Sequence, residues 1–83
     1  MSYGGIIELD VHGMNTHQAR IFIESRLKRA GGGVYRIRVI HGFHGGTELR
    51  DLVRKEIAKN PKVKRIEIGL NQGQTDLILK ELF

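Results

Sequence analysis

Two stretches of the chain alternate between apolar and polar residues, which is the pattern of a strand with one buried face. Residues 6–11 alternate in this way, and so do residues 34–40, which are also rich in β-branched side chains. In the second stretch Arg36 and Arg38 fall on the face opposite to Ile37. We predict strands one and two over these ranges.

Two further stretches carry apolar residues at helical spacing. The first helix is predicted to begin at Asn15 or Thr16 and to end at the three glycines 31–33. The second is predicted to be capped by Thr47 and to end at Asn60, because a proline follows. The buried stripes are predicted to be Ala19, Phe22, Ile23, Leu27 and Ala30 in the first helix, and Leu49, Leu52, Val53 and Ile57 in the second.

The last apolar segments, residues 63–68 and 75–82, are predicted as strands three and four with a turn at 71–74 between them. The order βαβαββ favours parallel neighbours joined by right-handed helical crossovers, with the last strand antiparallel. The predicted fold is therefore a two-layer α/β sandwich with a four-stranded mixed sheet and two helices. We expect residues 1–83 to form one domain, because so short a chain cannot build two cores.

Charge and composition limit the classes of binding partner and the cellular compartment that we expect. Fourteen Lys and Arg against nine Asp and Glu give a net charge of +5, which favours anionic partners such as nucleic acid, the ribosome or acidic proteins. The chain has no Cys, so disulfides and thiolate metal sites are excluded. No signal-like start and no apolar run of membrane-spanning length is present, and we expect a cytoplasmic protein without membrane contact. The oligomeric state cannot be inferred from these features.

Candidate chemistry lies where the first two predicted strands end. Asp10 and His12 share one face of strand one, and His41 follows strand two. If the two strands are parallel, their carboxyl ends open onto the same edge of the sheet, where ligands bind in α/β proteins. We predict these three residues to be catalytic, with the imidazoles moving protons at a phosphodiester. Taken singly, Asp10 could instead cap a turn and each histidine could be structural.

The segment after His41 is predicted to bind phosphate. Its glycines allow close approach of the backbone, and it leads into the N-terminus of the second helix, whose free amides attract anions. Phe43 either stacks on a base or packs beneath the loop. The residues predicted to contact nucleic acid are Gly42, His44, Gly45, Gly46, Thr47 and Arg50, together with Arg36 and Arg38 as a track for the backbone.

The sequence Leu-Asp-Val-His-Gly, followed by Ile-His-Gly, a glycine-rich turn and Leu-Arg, resembles the Small MutS-related (Smr) domain family. The resemblance implies DNA or RNA as ligand, and an endonuclease activity that several members have while others only bind. The family's first motif falls on Leu9, Asp10 and His12, and its second on His41 and Gly42. The usual second motif has a single residue between its glycines, whereas two precede Gly45 here, so the loop is shifted or longer.

The sequence thus predicts a nucleic-acid-binding, stand-alone Smr domain with endonuclease activity. A binding module without catalysis, for DNA, RNA or the ribosome, and a protein-interaction adaptor are the alternatives. Cleavage could use two histidines as acid and base, or could be assisted by Mg²⁺ through Asp10, and the sequence leaves both routes open.

Overall fold

The computed structural model of the protein describes residues 2–42 and 47–81. In chain order its strands are β1 (Ser2–Tyr3), β2 (Ile6–Asp10), β3 (Arg36–Ile40), β4 (Arg65–Glu67) and β5 (Gln74–Ile78). The helical elements are α1 (Thr16–Arg29), α2 (Glu48–Asp51), a π-helical turn (Leu52–Glu56) and a 3₁₀ turn (Ile57–Lys59). The predicted two-layer α/β sandwich is confirmed. The four predicted strands are present, and the short strand β1 extends the sheet at the edge beside β2.

Helix α1 begins where local side chains satisfy its free amides. Asn15 accepts a hydrogen bond from the backbone N–H of Gln18 at 2.8 Å, and the Gln18 side chain accepts one from the Asn15 backbone at 3.3 Å. This reciprocal capping box leaves two of the four free amides satisfied. Ala19, Ile23 and Leu27 are buried along one face, as their spacing predicts.

The second helical segment, residues 48–59, is less regular than its sequence pattern suggests. Thr47 is the N-cap residue of α2, as predicted, but its side chain makes no capping hydrogen bond. The chain then widens into the π-helical turn and tightens into the 3₁₀ turn before Asn60, where the predicted end is confirmed. Leu52, Val53 and Ile57 are buried against the sheet.

The strands lie in the order β1-β2-β3-β5-β4. Strands β2 and β3 are parallel, whereas β5 is antiparallel to both β3 and β4. The expectation that strand three would pair with a parallel neighbour is therefore wrong, because β5 inserts between β3 and β4. Residues Thr75 to Ile78 are all buried, whereas the residues of β4 are exposed or only partly buried, which agrees with the inner position of β5.

The hydrophobic core lies between one face of the sheet and the helical layer, and includes Leu9, Val11, Val39 and Leu77. Polar side chains such as Glu8 therefore point to the other face. None of the helices in the two described ranges is long and apolar enough to cross a membrane.

Candidate functional site

The ends of β2 and β3 meet at one edge of the sheet. Asp10 lies opposite Ile40, and the backbone N–H of Val11 donates to the Ile40 carbonyl at 2.9 Å, so the pairing continues past the last β2 residue. Beyond it, a Cβ built on Gly42 would lie only 3.6 Å from the Cβ of His12. The structure thus brings the two predicted motifs side by side.

Asp10 and His12 form an oriented carboxylate–imidazole pair. The His12 Nδ1 lies 2.5 Å from Asp10 Oδ1, and the His12 backbone N–H donates to the same oxygen at 3.1 Å. These bonds, the one to the His12 ring first, hold the pKa of Asp10 below its ordinary value. An ionised carboxylate only accepts hydrogen bonds, so Nδ1 carries a proton, and in the neutral ring Nε2 is the nitrogen that keeps its lone pair. The side chains are 52% and 69% exposed, so a ligand can reach them.

His41 has a different environment from His12, for it is only 4% exposed. Its Nδ1 lies 2.9 Å from the Gly42 carbonyl oxygen, and its Nε2 lies 2.9 Å from the hydroxyl oxygen of Thr75. Burial lowers the pKa of His41, and the neighbouring Arg54 and Arg50 lower it further. In this structure His41 is thus a neutral ring with both nitrogens engaged, and its predicted catalytic role stays a prediction.

Thr75 links His41 to a guanidinium group. The Nε of Arg54 donates to Thr75 Oγ1 at 2.8 Å, so the hydroxyl proton is free to donate to His41 Nε2. That assignment leaves the His41 proton on Nδ1, from which it is donated to the Gly42 carbonyl. The chain of bonds from Arg54 to Gly42 holds the peptide that follows β3 in a fixed orientation.

The loop between β4 and β5 lies beside the same edge of the sheet, next to the end of β3. The carbonyl of Gly73 accepts hydrogen bonds from the backbone N–H groups of His41 and Gly42, both at 2.9 Å. Asn71 holds Gly73 in place, because the Asn71 side-chain oxygen accepts a hydrogen bond from the Gly73 backbone N–H at 2.8 Å. Leu70, just before, is fully exposed.

The two arginines predicted as a backbone track are ion-paired. Arg36 Nη1 lies 2.6 Å from Asp76 Oδ2, and Arg38 Nε lies 3.1 Å from Asp76 Oδ1. Arg36 Nη2 also lies 3.0 Å from Glu67. Both guanidiniums stand on the face of the sheet away from the helices, but the carboxylates neutralise much of their charge. Contact of these two residues with nucleic acid remains a prediction.

The remaining predicted contacts lie at the start of the second helical segment. Thr47 is exposed, and Arg50 Nε lies 3.6 Å from Asp51 Oδ1. The predicted residues Phe43, His44, Gly45 and Gly46 lie outside the described residues.

Within the described ranges no three His, Asp or Glu side chains come together in a way that could hold a metal ion. The described residues therefore do not form a dedicated Mg²⁺ site.

Sequence reasoning did not identify Arg54 and Thr75 as members of this site. Arg54 is one of many basic residues spread along the sequence, and Thr75 is only the first residue of predicted strand four. The sequence did contain one signal for Arg54. It lies four residues after Arg50, and residues at this spacing are neighbours on the same face of a helix.

Comparisons with known proteins agree with this architecture. The crystal structure of the Smr domain of Thermus thermophilus MutS2 matches with a TM-score of 0.79 and 22% identity, covering 90% of this chain and 99% of that one. The comparison with curated proteins finds no significant match. The family model of the Smr domain matches residues 9–76, which is most of the chain. The chain therefore belongs to the Smr domain family.

Proposed function

We propose that the protein binds the phosphate backbone of DNA or RNA at the edge formed by the ends of β2 and β3, and that it hydrolyses a phosphodiester bond there. The observation that carries the proposal is the exposed Asp10–His12 pair, in which a carboxylate fixes the tautomer and the orientation of an imidazole. Family membership supports it, since both residues fall within the matched range.

In the proposed reaction His12 Nε2 accepts a proton from a water molecule. The water oxygen bonds to phosphorus, the bond to one sugar oxygen breaks, and that oxygen takes up a proton from solvent. Asp10 stabilises the imidazolium that forms, and its low pKa keeps it ionised for this role. A positioned general base contributes about 10²- to 10⁴-fold to a rate, which sets the expected effect of removing His12.

Binding in this proposal depends on the positive charge around the same edge. Arg50 stands in the first turn of the second helical segment, and Gly42 gives the backbone close to His12 no side chain to obstruct a ligand. The net charge of +5 attracts the polyanion over a longer range. Affinity should therefore fall steeply as salt displaces these contacts.

Binding without cleavage is the second candidate function. It is favoured by the burial of His41, whose two ring nitrogens are both hydrogen-bonded. Among the described residues at this edge, His12 is then the histidine with an unengaged ring nitrogen. A second acid for the leaving oxygen is then not apparent in the described ranges. This candidate predicts the same salt dependence with no products.

A cleavage assay separates the two candidates. Labelled single-stranded and duplex DNA and RNA are incubated with the protein, with Mg²⁺ or with EDTA, which also shows whether a divalent ion takes part. Cleavage is expected from the wild type, and a loss of about 10²-fold or more from His12→Ala. His17→Ala, an exposed histidine on α1, is the matched control and should cleave normally. Full cleavage by the double variant Asp10→Ala, His12→Ala would refute the proposed chemistry.

A further inference from the structure

The helical layer places a second cationic group beside the candidate site. Arg54 lies in the π-helical turn and reaches the sheet at Thr75, which is fully buried and bonded to His41. Arg50 is close enough to lower the pKa of Arg54 by repulsion, in addition to the larger effect of burial. Two guanidiniums therefore share the space next to His41.

The positive charge here is poorly compensated. Asp51 pairs with Arg50 at 3.6 Å, whereas Arg54 forms no ion pair among the described residues. The Nη2 atom of Arg54 is buried and has no hydrogen-bond partner in that part of the chain. An unsatisfied buried donor destabilises a fold, and more so when it is charged. Such a group in a native protein calls for an explanation.

The backbone around Arg54 is unusual as well. Residues 52–56 form a π-helical turn, although this segment contains neither glycine nor proline. Turns of this kind are rare within helices and occur frequently at functional sites. The hydrogen bond from Nε to Thr75 then fixes the plane of the guanidinium. The orientation of its remaining donors is thus set before any ligand arrives.

We infer that Arg54, together with Arg50, binds a phosphate group of the nucleic acid next to the one acted on at His12. This inference rests on the proposed function and extends it. A guanidinium presents two parallel N–H donors that match two phosphate oxygens, which an ammonium group cannot reproduce. Because Arg54 is only partly buried, a phosphate can reach the accessible side of its guanidinium, beside Arg50.

The inference is tested by the salt dependence of binding. Fluorescein-labelled single-stranded and duplex oligonucleotides are titrated with wild type, Arg54→Met and the neighbouring exposed control Lys55→Met, between about 50 and 200 mM salt. Loss of one phosphate contact should reduce the slope of log affinity against log salt by about 0.9 for duplex DNA or 0.7 for single strands. The affinity of Arg54→Met should fall about ten- to a hundredfold, and that of Lys55→Met should change much less.

The outcomes distinguish this inference from the proposed function. If the wild type binds no nucleic acid, the proposed function itself fails. If the wild type binds and Arg54→Met keeps both affinity and salt slope, the role of Arg54 is refuted while the proposed function stands. Should Arg54→Met not fold, Arg54→Lys decides: it keeps the charge but not the paired donors, so an affinity drop of about tenfold supports the inference and unchanged affinity refutes it.

Discussion

Replacing Thr75 by Val tests the hydrogen-bond chain that holds the end of β3. Thr75 is fully buried, and its hydroxyl is bonded both to His41 Nε2 at 2.9 Å and to Arg54 Nε at 2.8 Å. Valine has nearly the same shape, so no cavity forms and the change removes the hydroxyl alone. The ring nitrogen and the guanidinium Nε are then both left without this partner.

The expected loss follows from these two bonds. Each buried polar group left without a partner costs about 1–3 kcal/mol, and Arg54 is partly accessible to water, so we expect the free energy of unfolding to fall by about 2–4 kcal/mol. A chain of this size loses about 4–8 °C in melting temperature per kcal/mol, so Tm should fall by roughly 8–32 °C.

Urea unfolding followed by circular dichroism measures the effect. The control is Thr47→Val, the same substitution at an exposed threonine whose hydroxyl makes no capping bond, which should change stability by less than about 0.5 kcal/mol. If Thr75→Val is as stable as Thr47→Val, the network from Arg54 to Gly42 does not hold this edge together.

Three further substitutions and one titration probe the same account. Gly42→Ala should destabilise the fold by about 1–2 kcal/mol, because φ is +74° there while the space for a Cβ is adequate. Gly5→Ala should cost more in the same urea assay, since its Cβ would lie 2.7 Å from the Gly33 carbonyl oxygen and φ is +104°; equal losses would contradict this. Asp76→Ala should lower the free energy of unfolding by about 2–3 kcal/mol, because Arg36 and Arg38, both partly exposed, lose the carboxylate that they share. An unchanged free energy of unfolding would mean that these ion pairs add nothing to stability. The ring of His41 should titrate below about 6.5 in an NMR experiment, because burial lowers its pKa in the folded protein. The neutral ring therefore contributes stability above the pKa of the unfolded chain. That contribution is lost as the pH falls towards the pKa of the folded protein. A midpoint at or above about 6.5 would contradict the burial of a neutral ring.

The periodic parts of the fold were predictable from the sequence. Residues 6–11 and 34–40 largely alternate, and one buried face fixes both their identity as strands and the faces that their side chains occupy. Helix α1 was equally clear, because the capping residue Asn15 and the apolar stripe agree. The convergence of His12 and Gly42 then followed from the parallel arrangement of two neighbouring strands.

The remaining features depend on contacts between residues far apart in the chain. The inner position of β5 is set by burial on both faces, which a local pattern does not report. The pairing of Arg36 and Arg38 with Asp76 joins residues from strands that no short-range signal connects. The burial of His41 and the involvement of Arg54 likewise depend on how the second helical segment packs on the sheet.

The central claim is that the ends of β2 and β3 form one nucleic-acid-binding edge, and NMR titration of the ¹⁵N-labelled protein with an oligonucleotide tests it most directly. The account predicts that the largest amide shift changes fall at His12, Gly42 and Gly73, with little change at the opposite edge around residues 31–33. Changes concentrated at residues 31–33, or no changes at low salt, would contradict it.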